Sequence, residues 1–178
     1  MLLFANGCGV ALFLAANDIR AQSVNGVVPV STTVANNCSV SSTNAVNFGA
    51  YRFDVLCIGN SAGRTVVTCT KGTSAVIALD NGRNATSDGQ RRMQSPPAGA
   101  LAASFLEYAL LRPTDAGPTA GCNFVSGVGE WTTGAGAFDI GPAPSSSARS
   151  IVVCARLPGG QSVRAGRYSD TVGVTVTF

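Results

Sequence analysis

The sequence predicts an all-β protein, and its composition, its turn spacing and its alternating apolar residues are the observations that predict it. The chain has 178 residues, including 21 glycines, with 46% hydrophobic and only 12% charged residues. Abundant valine, threonine, serine and glycine favour short strands and turns over helices. At this length we expect one domain, with its strands arranged as a β-sandwich.

The first 21 residues have the character of a signal peptide. An apolar core at 10–16 is followed by the more polar stretch 17–21, which favours cleavage near Ala21. The apolar run is too short to span a bilayer, which takes about 20 apolar residues. We therefore expect a secreted protein whose mature chain begins near residue 22.

The next segment, from Val24 to Val34, alternates with period two. One face carries Val24, Gly26, Val28, Val30, Thr32 and Val34. The opposite face carries Asn25, Pro29, Ser31 and Thr33. Only a β-strand separates residues in this way. Because Pro29 has no N–H to donate to a ladder, this strand belongs at the edge of a sheet or in the groove of another chain.

Further strands are predicted between turn-rich spacers. They cover residues 45–48, 64–70, 75–79, 104–111, 150–156 and 168–178. The last of these has the clearest alternation, with small polar residues on one face. Its other face carries Val172, Val174, Val176 and Phe178. Since the strand runs to the last residue, we expect one of its edges to lack a partner from the same chain.

The absence of histidine and the spacing of six cysteines restrict the chemistry. Catalytic and metal sites that need imidazole are excluded, and no C-x-x-C pair supports a zinc ribbon or a redox site. Structural disulfides are the expected use of Cys8, Cys38, Cys57, Cys69, Cys122 and Cys154. The net charge is only +3 and the basic residues are scattered, which does not fit a nucleic-acid partner.

We expect no enzyme activity, no cofactor and no metal. A glycosidase needs two carboxylates that flank a sugar. The available acids lie mostly in turn-like contexts: Asp54, Asp80, Asp88, Glu107, Asp115, Glu130, Asp139 and Asp170. A secreted coat or carbohydrate-binding module is the stronger alternative, with Trp131, Tyr51 and Tyr108 as candidate sugar contacts. Core packing is the better interpretation of Trp131 in a chain with few aromatic residues.

Two groups of motifs resemble the spore coat protein U domain. The first comprises Asn-Cys-Ser-Val at 37–40, Val-Asn-Phe-Gly-Ala-Tyr at 46–51, Val-Thr-Cys-Thr-Lys-Gly-Thr at 67–73 and Ile-Ala-Leu-Asp at 77–80. The second comprises Arg-Leu-Pro-Gly-Gly-Gln at 156–161, Ala-Gly-Arg-Tyr-Ser-Asp-Thr-Val at 165–172 and the Val-Thr-Val-Thr-Phe ending. Together they span most of the mature chain in the right order. Members of this family include the subunits of archaic chaperone-usher pili.

The resemblance implies an immunoglobulin-like β-sandwich that lacks its final strand. A chaperone strand fills the gap in the periplasm, and the N-terminal extension of the next subunit fills it in the fibre, a known form of strand addition. The implied parts are a signal peptide at 1–21, a donor-strand extension at 22–35 and the domain at 36–178. The alternating residues of 24–34 are the expected donor strand. The apolar face of the C-terminal strand is expected to face the core while its backbone binds the chaperone.

The resemblance also implies a disulfide between Cys38 and Cys69. Cys57, Cys122 and Cys154 depart from the family pattern, so their pairing stays open, and loss of Cys8 with the signal peptide leaves an odd number. The implied partners are a periplasmic pilus chaperone, an outer-membrane usher and neighbouring pilin subunits. The implied function is a structural one. The subunit passes through the periplasm to the cell surface, where it polymerises into a fibre that supports adhesion and biofilm formation.

Overall fold

A computed structural model shows an all-β chain, as the composition predicts. It describes residues 22–54, 57–97, 99, 101–117, 119–124 and 129–178. Within these ranges there are nine strands and one short 3-10 helix, Gly134–Gly136, but no α-helix. None of the described residues form a helix long and apolar enough to cross a membrane. The expected signal peptide lies outside the described residues.

The strands form three antiparallel sheets. Their bounds are β1 Cys38–Asn44, β2 Cys57–Cys69, β3 Ser74–Leu79, β4 Arg92–Ser95, β5 Ser104–Glu107, β6 Ala109–Leu111, β7 Phe138–Pro142, β8 Arg149–Pro158 and β9 Val174–Thr177. The largest sheet has the order β1-β2-β8-β6, the second has the order β7-β3-β9, and β4 pairs with β5 alone. The described residues divide into two units, 22–33 and 34–178, and all nine strands belong to the second.

The two larger sheets share one hydrophobic core, which makes the second unit a sandwich. Buried members from the first sheet include Val67, Ile151 and Leu157, and members from the second include Ile77 and Leu79. In β3, buried and more exposed residues alternate because successive side chains of a strand point to opposite faces. The predicted sandwich is therefore confirmed.

Some predicted strand bounds were wrong. Residues 45–48 belong to no strand, and the strand of that region is β1 instead. Residues 24–34 are not in a strand of the single chain, and their role as a strand in another chain's groove stays a prediction. The prediction at 104–111 divides at Tyr108, whose N–H donates to the carbonyl of Arg91. At that residue the chain passes from the β4 ladder to the β8 ladder, so β5 and β6 lie in different sheets. The alternation at 45–48 reflects packing rather than a ladder, as shown below.

Two disulfides involve strands of the large sheet. Cys38 and Cys69 are bonded across directly paired positions of β1 and β2, which confirms the pairing implied by the resemblance. A second bond joins Cys122 to Cys154 in β8, which settles two of the three cysteines whose pairing was open. Cys57 takes part in neither bond, and its side chain lies outside the described residues.

Replacing Cys38 and Cys69 together with serine should lower the free energy of unfolding by about 3 to 4 kcal/mol. The bond closes a loop between residues that are 31 positions apart, so its loss restores chain entropy to the unfolded state. Urea unfolding of the purified subunit with a bound peptide of residues 22–37 measures the change. The Cys122→Ser, Cys154→Ser pair is the matched comparison, since its separation is 32 and a similar loss is expected. A loss below about 1 kcal/mol at Cys38 and Cys69 would contradict this loop-closure argument.

Candidate functional site

A groove of about 1380 Å³ is open at the surface of the sandwich. Two chain segments line it: 44–53 apart from Arg52, which we call the flap segment, and the loop 160–170, continued by Val172 and Val174. Core side chains also line it, namely Leu79, Leu106, Tyr108, Leu110, Val153 and Leu157. The groove therefore reaches from solvent to the hydrophobic core.

Strand β9 reaches this groove through its first residue, Val174. It lies at the end of its sheet, and among the described residues β3 is its only ladder neighbour. The second edge of β9 thus has backbone groups without a strand partner within the described chain. Exposed edges of this kind are templates for pairing with another strand.

The side chains of the C-terminal segment divide into two groups. Val172, Val174 and Val176 are half-buried and pack against the core cluster, with Val174 paired to Leu79 in register. Phe178 is 54% exposed and does not belong to that cluster. The predicted inward face thus holds three of its four expected members.

After Asn44, the last residue of β1, the flap segment borders the groove without forming a strand. Its residues Val46, Phe48 and Tyr51 are partly buried against the core cluster, and the ring centroid of Phe48 lies 6.3 Å from that of Tyr108. The period-two alternation that predicted a strand at 45–48 thus places Val46 and Phe48 on the core. In the described residues no ladder partner accompanies them.

Hydrogen bonds to two aspartate carboxylates hold the segment that leads into β9. One Asp170 carboxylate oxygen accepts a hydrogen bond from the Tyr108 hydroxyl at 2.7 Å, and the other accepts one from the Asn84 amide at 3.0 Å. The Asp80 carboxylate accepts the Gly173 N–H at 2.9 Å. Burial raises the pKa of Tyr108, and its hydrogen bond to Asp170 acts in the same direction. The phenol therefore stays protonated at neutral pH and continues to donate.

Arg91 is a second structural anchor, and it was not foreseen from the sequence. Its side chain is buried, its Nε donates to the Asp80 carbonyl at 2.9 Å, and its Nη2 donates to the Trp131 carbonyl at 2.7 Å. Burial lowers the pKa of this guanidinium. The arginine thus connects the end of β3 to the segment around Trp131. No local pattern in the sequence predicts this role.

The candidate sugar contacts are engaged in the fold. Trp131 is fully buried, its Nε1 donates to the Ile77 carbonyl at 2.9 Å, and its ring lies edge-on to Phe138. Tyr108 is buried, and Tyr51 is partly buried with its hydroxyl bonded to the backbone of Gln161. The interpretation of Trp131 as a core residue is confirmed.

The acidic residues lie both in turns and in strands, since Asp54 and Asp88 are in turns whereas Glu107 belongs to β5 and Asp139 to β7. Asp115 accepts the Gly117 N–H at 2.7 Å, and Asp139 accepts the Gly141 N–H at 2.7 Å. Asp54 is paired with Arg52 at 2.8 Å on the surface. Across the described ranges, no three His, Cys, Asp or Glu side chains are grouped so that they could bind a metal ion.

The first unit exposes the alternating valines. In its described part Val24, Val28 and Val30 are 92%, 82% and 91% exposed, and no residue from 22 to 37 belongs to a helix or strand. The stretch 22–51 also carries no charged side chain. An exposed apolar row of this kind is typical of a surface that binds a partner.

The sequence profile of the Spore Coat Protein U domain matches residues 24–175. The chain belongs to the Spore Coat Protein U domain family. The match takes in the exposed valines, both disulfides, the groove and the first half of β9. No curated protein matches the chain.

One solved structure shows a similar fold. The chain resembles one in the crystal structure of the CsuC-CsuE chaperone-tip adhesion subunit pre-assembly complex from archaic chaperone-usher Csu pili of Acinetobacter baumannii, with a TM-score of 0.54 and 21% identity. The similarity covers 82% of this chain and 40% of the other. The present chain therefore spans about two fifths of the length of the chain that it matches. The E. coli Hda pilus minor tip subunit HdaB gives a TM-score of 0.36 at 13% identity over 78% of this chain and 79% of that chain, too low to carry an argument.

Proposed function

We propose that this chain is a structural pilus subunit that polymerises by donor-strand exchange. The observation that carries the proposal is the presence of two complementary features in one chain. The groove reaches the core and includes Val174 of β9, whose second edge has no strand partner within the described chain, whereas residues 24–34 present an apolar row that is not in a strand. A second copy of this chain supplies the strand, whose backbone pairs with β9 while its valines enter the groove.

The energetics favour exchange between subunits. Burying Val24, Val28, Val30 and Val34 at about 1.5 to 3 kcal/mol each contributes roughly 6 to 12 kcal/mol. That sum is comparable to the whole stability of an ordinary domain. A subunit without a donor strand is therefore marginal, and a subunit within the fibre is stable.

Before assembly, a periplasmic chaperone binds the same edge of β9. A chaperone strand occupies the groove, basic chaperone residues hold the terminal carboxylate, and an outer-membrane usher then exchanges that strand for the next subunit's donor segment. Family membership supports this pathway. The resulting fibre lies at the cell surface, where it supports adhesion and biofilm formation.

Co-expression with the cognate chaperone and usher tests the proposal directly. Electron microscopy should show fibres for the full chain. Deletion of residues 22–33 should leave a one-to-one complex with the chaperone but no fibres. A secreted monomer that never polymerises would contradict donor exchange and favour a coat or carbohydrate-binding module, which glycan arrays with that monomer would then examine.

A polar tag added after Phe178 should abolish secretion. The tag extends the proposed chaperone-binding strand with polar residues, so the chaperone cannot hold the subunit. Immunoblots of periplasmic and surface fractions measure the effect. The same tag inserted after Ser147, in an exposed turn, is the matched control and should leave secretion intact. Normal fibres from the C-terminally tagged subunit would count against the role of β9.

A further inference from the structure

A hydrogen-bonded bridge joins the two segments that line the groove. The backbone N–H of Gln161 donates to the Tyr51 hydroxyl at 2.7 Å, and that hydroxyl lies 3.5 Å from the Gln161 carbonyl oxygen. The two residues are 110 positions apart, both contacts are part-buried, and both residues line the groove. Segments that come from opposite ends of the domain are thus held together at this point.

The Gln161 side of the bridge is firmly anchored. Its Oε1 accepts the Glu107 N–H at 2.7 Å, and its Nε2 donates to the Glu107 carbonyl at 3.0 Å. Nε2 also donates to the carbonyl of Pro158, the last residue of β8, at 3.0 Å. The side-chain amide thereby satisfies both backbone groups of Glu107, as a neighbouring strand would. Loop 160–170 is consequently fixed to β5 and β8 at this position.

The Tyr51 side is held differently. Within the described chain, residues 45–51 belong to no strand, and Val46, Phe48 and Tyr51 meet the core through partly buried side chains. Apolar packing without a ladder resists displacement less than a strand that is hydrogen-bonded on both edges. The flap segment is therefore the part of the groove border that yields when the bridge opens.

We propose that Tyr51 and Gln161 form a latch, which keeps the flap segment against loop 160–170 in the free subunit and opens for an incoming strand. The latch rests on the proposed function, because it needs a groove that accepts a strand. A strand laid along β9 requires room between the two segments that the latch joins. When the latch opens, the hydroxyl and the N–H form hydrogen bonds to water instead. Opening therefore costs about the net free energy of one hydrogen bond.

Tyr51→Phe removes the hydroxyl and keeps the ring in the core. The probe is a fluorescent peptide with the sequence of residues 22–37, mixed with the full mature chain at a concentration too low for self-assembly. Stopped-flow anisotropy should show an association rate about three- to tenfold above wild type, the size of one net hydrogen bond. The dissociation rate should not change, because the latch is open in the bound state.

Thr86→Val is the matched control. The Thr86 hydroxyl accepts the Gln90 N–H at 2.9 Å and lies 3.4 Å from the Gln90 carbonyl oxygen, so it makes the same pair of contacts as the latch, but Thr86 does not line the groove. Its association rate should equal that of wild type. An unchanged or slower rate for Tyr51→Phe, or an equal acceleration in both variants, would overturn the latch. If the peptide does not bind the wild-type chain at all, that result contradicts the proposed function itself, and the latch with it.

Hydrogen exchange on the unaltered chain gives a second readout that does not depend on the folding of a variant. The Gln161 amide should be protected in the free chain and should exchange faster once the peptide is bound. Equal protection in both states would overturn the latch even where the peptide binds. A peptide with aspartate in place of Val28 and Val30 should leave the protection unchanged.

Discussion

Replacing Val28 and Val30 together with aspartate should abolish fibre growth and leave the subunit folded. In their own chain both side chains are exposed, at 82% and 91%, so the carboxylates remain in water and the sandwich is not disturbed. In a neighbour's groove the same carboxylates would be desolvated without partners, which costs several kcal/mol. Since each 1.4 kcal/mol is a factor of ten, fibre yield by electron microscopy should fall about a hundredfold or more.

The control is Ser31→Asp with Thr33→Asp. These positions lie on the opposite face of the donor segment, so two charges of the same sign and almost the same location should allow fibres to form. Both variants should give a soluble one-to-one complex with the chaperone. If the valine variant instead fails to fold onto the chaperone, residues 24–34 belong to their own core and donor exchange is wrong.

Trp131→Ala should have the largest effect on the stability of the sandwich. The indole is fully buried, bonds the Ile77 carbonyl and contacts the edge of Phe138, so truncation leaves both a cavity and an unsatisfied acceptor. We expect a loss of about 3 to 5 kcal/mol in the free energy of unfolding, measured by urea denaturation of the subunit with a bound peptide of residues 22–37. Trp131→Phe keeps most of the volume and should lose clearly less.

The same variant separates the pilin from the carbohydrate-binding alternative. A core tryptophan affects any glycan binding only through unfolding. Unchanged stability of Trp131→Ala, combined with the specific loss of a glycan signal on an array, would contradict the core assignment and favour the sugar-binding module.

The fold class could be predicted because its determinants are local. Alternation in β3 and in the C-terminal segment follows from which face is buried, and the sequence displays that face directly. A ladder is different, since it needs a backbone neighbour that is remote in sequence. Residues 45–48 alternate because Val46 and Phe48 pack on the core, yet no strand lies beside them in the described chain, so the predicted strand is absent.

The groove was predictable only in part. The C-terminal border was expected from the alternation of 168–178, but the flap segment and loop 160–170 meet through a contact between residues 110 positions apart. Nothing in either segment alone indicates that pairing. The structural role of Arg91 was not predicted because its hydrogen-bond partners are backbone carbonyls. Every residue has a carbonyl, so no pattern of side chains in the sequence indicates such a partner. The bond between Cys122 and Cys154 stayed open because three unassigned cysteines allow several pairings.

A cryo-electron microscopy map of the assembled fibre tests donor exchange most directly. The map should show residues 24–34 of one subunit lying in the groove of the next, hydrogen-bonded to the free edge of β9, with Val28 and Val30 turned towards the core. The flap segment should then lie apart from loop 160–170. An empty groove, or a groove filled by the subunit's own residues 24–34, would contradict the proposed mechanism.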